Sequence, residues 1–354
     1  MQVVGMRRAR WLAAWRNSGY RRAIYHCVSR VVERRLAFGD AEKEQFVRVM
    51  RRVEAFSGCR VLAHCVMGNH VHLLLEVPPQ PATGLTDQEL LQRLGALYDE
   101  TFVAEVASEL ATARAASDEP AASAVHQRFL YRMHNLSEFM KGLMQRFTQW
   151  FNREHRRTGT LWEDRFKSVI VEAGIATQTV ATYIDLNPVR AGIVREASHY
   201  RWSSYGAACA GSKPARAGLA AAWQTNPEAA VTWEDGVARD YDRLLSGKGF
   251  GPLAGRDWTG KKKTRRHIAA ETAEQEMPLI DGSHHTAFTL MLQNRVRHFV
   301  DGAVIGTRDF VEEVFWESAW RFGARRRSGA RRMRGAGAAA SGLLWSARDL
   351  RLRL

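Results

Sequence analysis

Several things are scarce in this chain of 354 residues. It has four cysteines, Cys27, Cys59, Cys65 and Cys209, with no Cys-x-x-Cys spacing among them. That excludes a zinc knuckle and a disulfide framework, and the four read as buried or free thiols of a reducing compartment. No apolar run approaches the roughly 18–20 residues that a spanning helix needs, so no membrane association is expected. The first 22 residues are basic and contain Trp11 and Trp15, but their apolar stretch is too short for a signal-peptide core, and secretion is not expected. Rossmann and P-loop glycine patterns are missing as well. Negative charge is under-represented: 37 acidic residues face 52 lysines and arginines, for a formal net charge of +15. A surplus of that size favours a polyanionic partner, nucleic acid before membrane, because no amphipathic membrane helix accompanies it.

The charge is unevenly spread. Residues 81–125 hold eight acidic side chains against Arg93 and Arg114, whereas 261–354 hold 18 basic against 10 acidic. The acidic stretch reads as an insertion that stays away from a phosphate backbone. The basic tail, with Lys261–Lys263, Arg325–Arg327, Arg331, Arg332 and Arg334, reads as a DNA contact.

Periodicity gives the order of elements. A β-rich alternating run at 23–32 predicts a first strand. Asp40 starts a helix to about Phe56, with Phe46, Val49, Met50 and Val53 at helical spacing. Strands at 60–66 and 71–77 flank a Gly68-Asn69 turn and form a hairpin. Pro78-Pro79 stops the sheet. A helix at 88–111, a loop near 121–123, a strongly amphipathic helix at 136–154, a strand at 166–172 and a helix from Thr177 to Leu186 follow, the last stopped by Pro188. The order β-α-β-β-insertion-α-β-α predicts an α+β domain. Its expected form is an antiparallel sheet with helices on one face and the other face open for a ligand. Residues 207–218 read as small and flexible, 231–245 as helical and 247–263 as a linker. Two more helices are expected at 288–302 and 307–322, followed by an Arg- and Gly-rich stretch at 323–337 that orders only on binding. The expected domains are therefore 1–206 as the catalytic unit, 207–263 as linker and short helix, and 264–354 as a basic, mainly helical region.

The most informative motif is His70-Val71-His72. Side chains two apart on a strand share a face, so the two imidazoles stand side by side and can hold a divalent metal. Alternating polar residues on a wet strand face are the plain alternative. Tyr183 and Asn187 lie four apart on the later helix and share its face. A phenol and an amide oxygen then point together at the histidine pair. Two imidazoles and an amide oxygen leave open metal positions for phosphate oxygens, and a phenolate is a nucleophile for phosphorus. Taken singly, Tyr183 also reads as a half-buried aromatic and Asn187 as a helix cap. Trp162 and Trp202 read as core residues before base-stacking platforms. Arg146, Arg153, Arg156, Arg157, Arg165 and Lys167 are long enough to reach a phosphate backbone.

Five blocks occur in a telling order. They are His70-Val-His72, FMKGLMQRFTQWFN (139–152), GTLWEDRFK (159–167), YIDLNPVRAG (183–192) and YRWSS (200–204). Together they resemble the single-tyrosine HUH transposases, in particular the REP-associated tyrosine transposase branch. The resemblance covers roughly residues 20–205 and leaves the acidic segment and the tail aside. It implies a ferredoxin-like domain acting on single-stranded or hairpin DNA. It also implies His70, His72 and Asn187 as ligands of Mg2+ or Mn2+, and Tyr183 as the nucleophile that forms a 5′-phosphotyrosine. The expected protein is a cytoplasmic, nucleoid-associated monomer or homodimer. A related nicking enzyme and a non-catalytic DNA-binding regulator derived from a transposase are the alternatives.

Overall fold

A computed structural model describes residues 10–17, 20–82, 84–224, 231–246, 299, 303–322, 325–332 and 344–348. At its centre, β1 (Ala23–Arg30), β2 (Arg60–Val66), β3 (His70–Val77) and β4 (Lys167–Val171) form an antiparallel sheet in the order β2-β3-β1-β4. Helix α1 (Asp40–Ser57) joins β1 to β2, and α5 (Leu136–Glu154) precedes β4. This is the ferredoxin-like split βαβ arrangement expected from the sequence.

The local causes are legible. Gly39, not Asp40, is the N-cap of helix α1, with Glu42 closing back on the Gly39 amide at 2.8 Å. It ends at Gly58, whose φ of 70° is the left-handed conformation that glycine adopts without penalty. Asn135 caps α5 by accepting from the amides of Ser137 and Glu138, an interaction of about 1 kcal/mol. The apolar stripe of α5 (Phe139, Leu143, Phe147, Phe151) packs with Phe46 of α1 onto the sheet face made by Val71, Leu73 and Leu75.

The acidic segment is more structured than a single helix and a loop. It forms α2 (Asp87–Gly95), α3 (Glu100–Ala115) and α4 (Glu119–Leu130), so 121–123 is helical. Leu90, Leu94, Val106, Leu110 and Phe129 join the same core as α1 and α5. Its acidic side chains are partly neutralised internally: Arg114 donates to Asp87 at 2.9 Å and to Glu119 at 2.6 Å.

The second face of the sheet is covered too, which corrects the expectation of an open face. Leu74 and Glu76 are buried there. Helix α6 (Ile175–Asp185), the short α7 (Asn187–Arg190), α8 (Ser204–Cys209), α9 (Lys213–Trp223) and α10 (Ala238–Ser246) supply that layer. The stretch 207–218, expected to be flexible, is largely helical, with Ala208, Ala215 and Gly218 buried. Its small residues permit this: a side chain on Gly218 would collide with the carbonyl of Val61, so glycine lets α9 lie directly on the bulged part of β2.

The described part of the C-terminal region, expected to be mainly helical, also contributes strands. Strand β5 (Val304–Gly306) pairs in parallel with β4, and β7 (Trp345–Ala347) and β6 (Arg331–Arg332) extend the sheet to seven strands. Helix α11 (Arg308–Glu317) falls within the helix expected at 307–322. Arg331 and Arg332 lie inside the Arg- and Gly-rich stretch yet form a strand. The linker at 247–263, most of the helix expected at 288–302, and Lys261–Lys263 and Arg334 fall outside the described residues.

Candidate functional site

The two histidines open β3 on the face covered by α6. His72 is buried and His70 half-buried, with ring centroids 5.0 Å apart. Register extends this face across the sheet: Arg30 pairs with His70, and Val28 lies between His72 on one side and Lys167 on the other. Paired residues share a face, so Lys167 stands on the histidine side about 10 Å across two strand spacings.

Helix α6 brings Tyr183 to the same place. Its ring centroid is 6.1 Å from His72 and 6.2 Å from a third imidazole, His26 of β1. Arg190 lies over the tyrosine ring at 4.1 Å, and Phe299 packs against it at 4.7 Å. Tyr183 is 7% exposed. The structure therefore unites His70, His72 and Tyr183. Asn187 follows one turn later, and its Nδ2 donates to the carbonyls of Tyr183 and Ile184 at 3.1 Å each. The amide thus fastens the end of the tyrosine helix through its nitrogen and keeps its oxygen as the remaining polar atom.

The hydrogen bonds fix the protons on both imidazoles of the motif. The Nδ1 of His70 is 2.7 Å from Oδ1 of Asn69, an oxygen that only accepts, so this nitrogen carries the proton. The Nδ1 of His72 faces Nε2 of His26 at 3.0 Å. Burial pushes His26 and His70 down to about 4, and burial with the charges of neighbouring imidazoles and arginines drives His72 well below the usual histidine range. All three rings are neutral at physiological pH, the form in which imidazole serves as a ligand.

This donor set fits a divalent cation. Both motif histidines keep Nε2 unprotonated, and their second nitrogens are held by hydrogen bonds, as ligating imidazoles generally are. Asn187, whose Nδ2 is taken up by the helix carbonyls, is the residue that the resemblance adds to this pair. Among the described residues, no three His, Cys, Asp or Glu side chains gather as a ligand group. The protein thus offers at most two nitrogens and one neutral oxygen, a poor match for hard Mg2+ unless phosphate oxygens and water complete the shell.

The candidate phosphate-contacting residues divide. Arg146 lies 5.4 Å over Tyr98, in the helical layer away from the histidines, and burial lowers its pKa. Arg153 and Arg156 are exposed at the end of α5, and Arg157 lies over Phe151 and donates to the carbonyl of Thr160. The connection from there to β4 runs beside His70, because Glu163 donates to the carbonyl of Arg30 and Trp162 bridges to Val31. Arg165 and Lys167, both exposed, follow on that connection and on β4. Trp162 is a core residue, packed on Phe38, Phe46 and Phe147 and bonded to Thr148. Trp202 is partly buried, with Lys43 4.3 Å over its ring.

Three residues were not singled out from the sequence: His26, Arg30 and Arg190. Arg190 was within reach, since it sits seven positions after Tyr183 and thus about two turns along the same stripe. His26 and Arg30 carry no such signal, because strand pairing brings them to the motif.

An antiparallel split βαβ sheet with a His-x-His strand facing a helix-borne tyrosine defines a class, a small α+β module with paired imidazoles beside a phenol. Residues 20–85, which contain β1 to β3 and both histidines, match the family model described as Transposase IS200 like. A solved structure of a REP-associated tyrosine transposase bound to a REP hairpin is similar over 59% of this chain and 87% of that one, at 12% identity and a TM-score of 0.36. No curated protein matches the chain.

Proposed function

We propose that this protein is a transposase that cleaves and rejoins single-stranded DNA through a covalent tyrosine intermediate. The observation that carries the reading is the placement of Tyr183 against His72 on one sheet face, within a module whose β1–β3 segment matches the IS200-like family.

In this reading the phenol of Tyr183 gives up its proton and attacks a phosphodiester phosphorus. The bond from phosphorus to the 3′ oxygen breaks, that oxygen takes up a proton, and a 5′-phosphotyrosine remains. A free 3′-hydroxyl can later attack the same phosphorus and release the tyrosine, so the phosphodiester energy is kept and no cofactor is consumed. Held by Nε2 of His70, Nε2 of His72 and the oxygen of Asn187, Mg2+ or Mn2+ would polarise the phosphate oxygens. Arg190, over the ring of Tyr183, keeps a positive charge beside the nucleophile. Lys167 and Arg165 lie where a strand entering along β4 would pass, and Arg153, Arg156 and Arg157 extend this positive path. Hairpin DNA is the substrate class that the family resemblance implies.

Covalent trapping tests the proposal. The full chain is incubated with end-labelled hairpin oligonucleotides, taken from the DNA flanking its own gene, and Mn2+, then denatured. The expected result is a labelled protein band that disappears in Tyr183→Phe and in His72→Ala. A normal DNA-binding curve with no adduct in the unaltered protein would sink the catalytic reading.

A further inference from the structure

We propose that His26 is a positioning residue: it sets the tautomer and orientation of His72, and the main-chain carbonyl of Phe299 sets His26 in turn. What His72 is needed for rests on the strand-transfer reading above; the hydrogen-bond relay itself does not.

His26 sits at the middle of β1, fully buried. It pairs with Leu74, which makes it the diagonal neighbour of His72 across the β1–β3 ladder. Such neighbours have Cα atoms about 7–8 Å apart, within reach of ring side chains. Its Nδ1 is 2.8 Å from the carbonyl oxygen of Phe299. A carbonyl has no proton to give, so Nδ1 of His26 must be the donor. The Nε2 of a neutral imidazole is then bare. That bare nitrogen lies 3.0 Å from Nδ1 of His72, and two lone pairs cannot face each other at that distance. The Nδ1 of His72 therefore carries the proton and donates it to His26. The relay runs one way only, from His72 through His26 to Phe299, and it leaves the lone pair of His72 on Nε2.

Ring geometry supports this. The two planes differ by 18° and the centroids are 5.2 Å apart. Near-parallel rings at that separation, with nitrogens at 3.0 Å, lie side by side in one plane, as an in-plane hydrogen bond requires. A residue that merely filled this space could be any apolar side chain of similar volume. Without an acceptor at the His26 position, His72 is free to adopt the other tautomer. It then presents an N–H where a ligand lone pair is needed, and loses the contact that holds its ring.

Two polar variants of similar size separate these roles. His26→Gln places a carbonyl oxygen near the original Nε2, so it can still accept from His72. His26→Asn places its amide near the original Nδ1, so it keeps the link to Phe299 and loses the link to His72. Long-range nitrogen–proton correlation spectra of the full chain report which nitrogen of His72 is protonated, and Mn2+ titration followed by electron paramagnetic resonance reports affinity. We expect His72 to be protonated on Nδ1 in the unaltered protein and in His26→Gln, with Mn2+ affinity kept within a few-fold. In His26→Asn we expect a mixed tautomer and a loss of roughly 10–100-fold in affinity. Equal spectra and equal affinities in both variants would overturn the proposal, as would a His72 protonated on Nε2 in the unaltered protein. If the spectra behave as expected but no DNA adduct forms in the unaltered protein, the relay stands and the strand-transfer reading fails.

Discussion

Arg190 lies 4.1 Å over the ring of Tyr183 and donates to that residue's own carbonyl at 2.6 Å. One guanidinium thus ends the tyrosine helix and places a permanent positive charge against the phenol. A lysine could supply charge but not the planar fork that does both. Arg190→Lys is therefore expected to lower the rate of covalent adduct formation by at least about tenfold, a change of roughly 1.4 kcal/mol in the barrier. DNA affinity should change little, and part of the rate should return at higher pH, where the phenol ionises unaided. An adduct rate equal to that of the unaltered protein would show that the ring-facing charge contributes nothing.

Asp185, two residues after Tyr183, is buried without a cationic partner among its hydrogen bonds. It accepts from Tyr241 at 2.5 Å and from the amide of Tyr205 at 3.1 Å. Burial raises its pKa to about 7, against which those hydrogen bonds act only in part. A carboxyl that binds its proton more tightly in the folded state contributes stability in full below its unfolded pKa, near 4. That contribution is lost as the pH rises through about 7. Asp185→Asn keeps an accepting oxygen and cannot ionise. Urea unfolding at pH 5 and pH 8 should therefore show the unaltered protein losing stability relative to Asp185→Asn, at up to about 1.4 kcal/mol per pH unit. Parallel stability curves for the two proteins would contradict the assignment.

Lys167 and Arg146 make opposite predictions despite similar standing in the sequence. Lys167 shares a cross-strand row with His72, whereas Arg146 is seated on Tyr98 in the helical layer away from the site. Binding of a single-stranded oligonucleotide is to be measured by anisotropy between 50 and 200 mM salt. Lys167→Ala should weaken binding and reduce the salt slope by about 0.7, the value of one phosphate contact on a single strand. Arg146→Ala should leave the slope unchanged. The reverse pattern would place the DNA path on the acidic-insertion side.

Much of the fold was legible because its signals are local. The hairpin at Gly68-Asn69, the stripe of α5 and the proline after α6 each follow from residues a few positions apart. So does the placement of His70 and His72 side by side, since it needs only the two-residue period of a strand. The place of Tyr183 on the later helix was likewise legible from helical periodicity. What failed depended on distance along the chain. Residues 207–218 looked flexible because small residues are ambiguous alone; the bulged part of β2 makes Gly218 a packing requirement. Arg331 and Arg332 looked like an unstructured basic tail, yet β7 gives them strand partners in Ser346 and Trp345.

The sequence by itself determined the order of the ferredoxin-like elements, the basic character and the identity of the chemical groups, since these rest on periodicity, turn residues and composition. Only the tertiary structure decided that the histidine face is covered, that the acidic helices lie on the opposite layer, and that Arg190 guards the tyrosine. It alone revealed His26. That residue is 46 positions from His72, and nothing in local spacing joins them. Antiparallel pairing of β1 with β3 does, because register sets which side chains meet across a ladder.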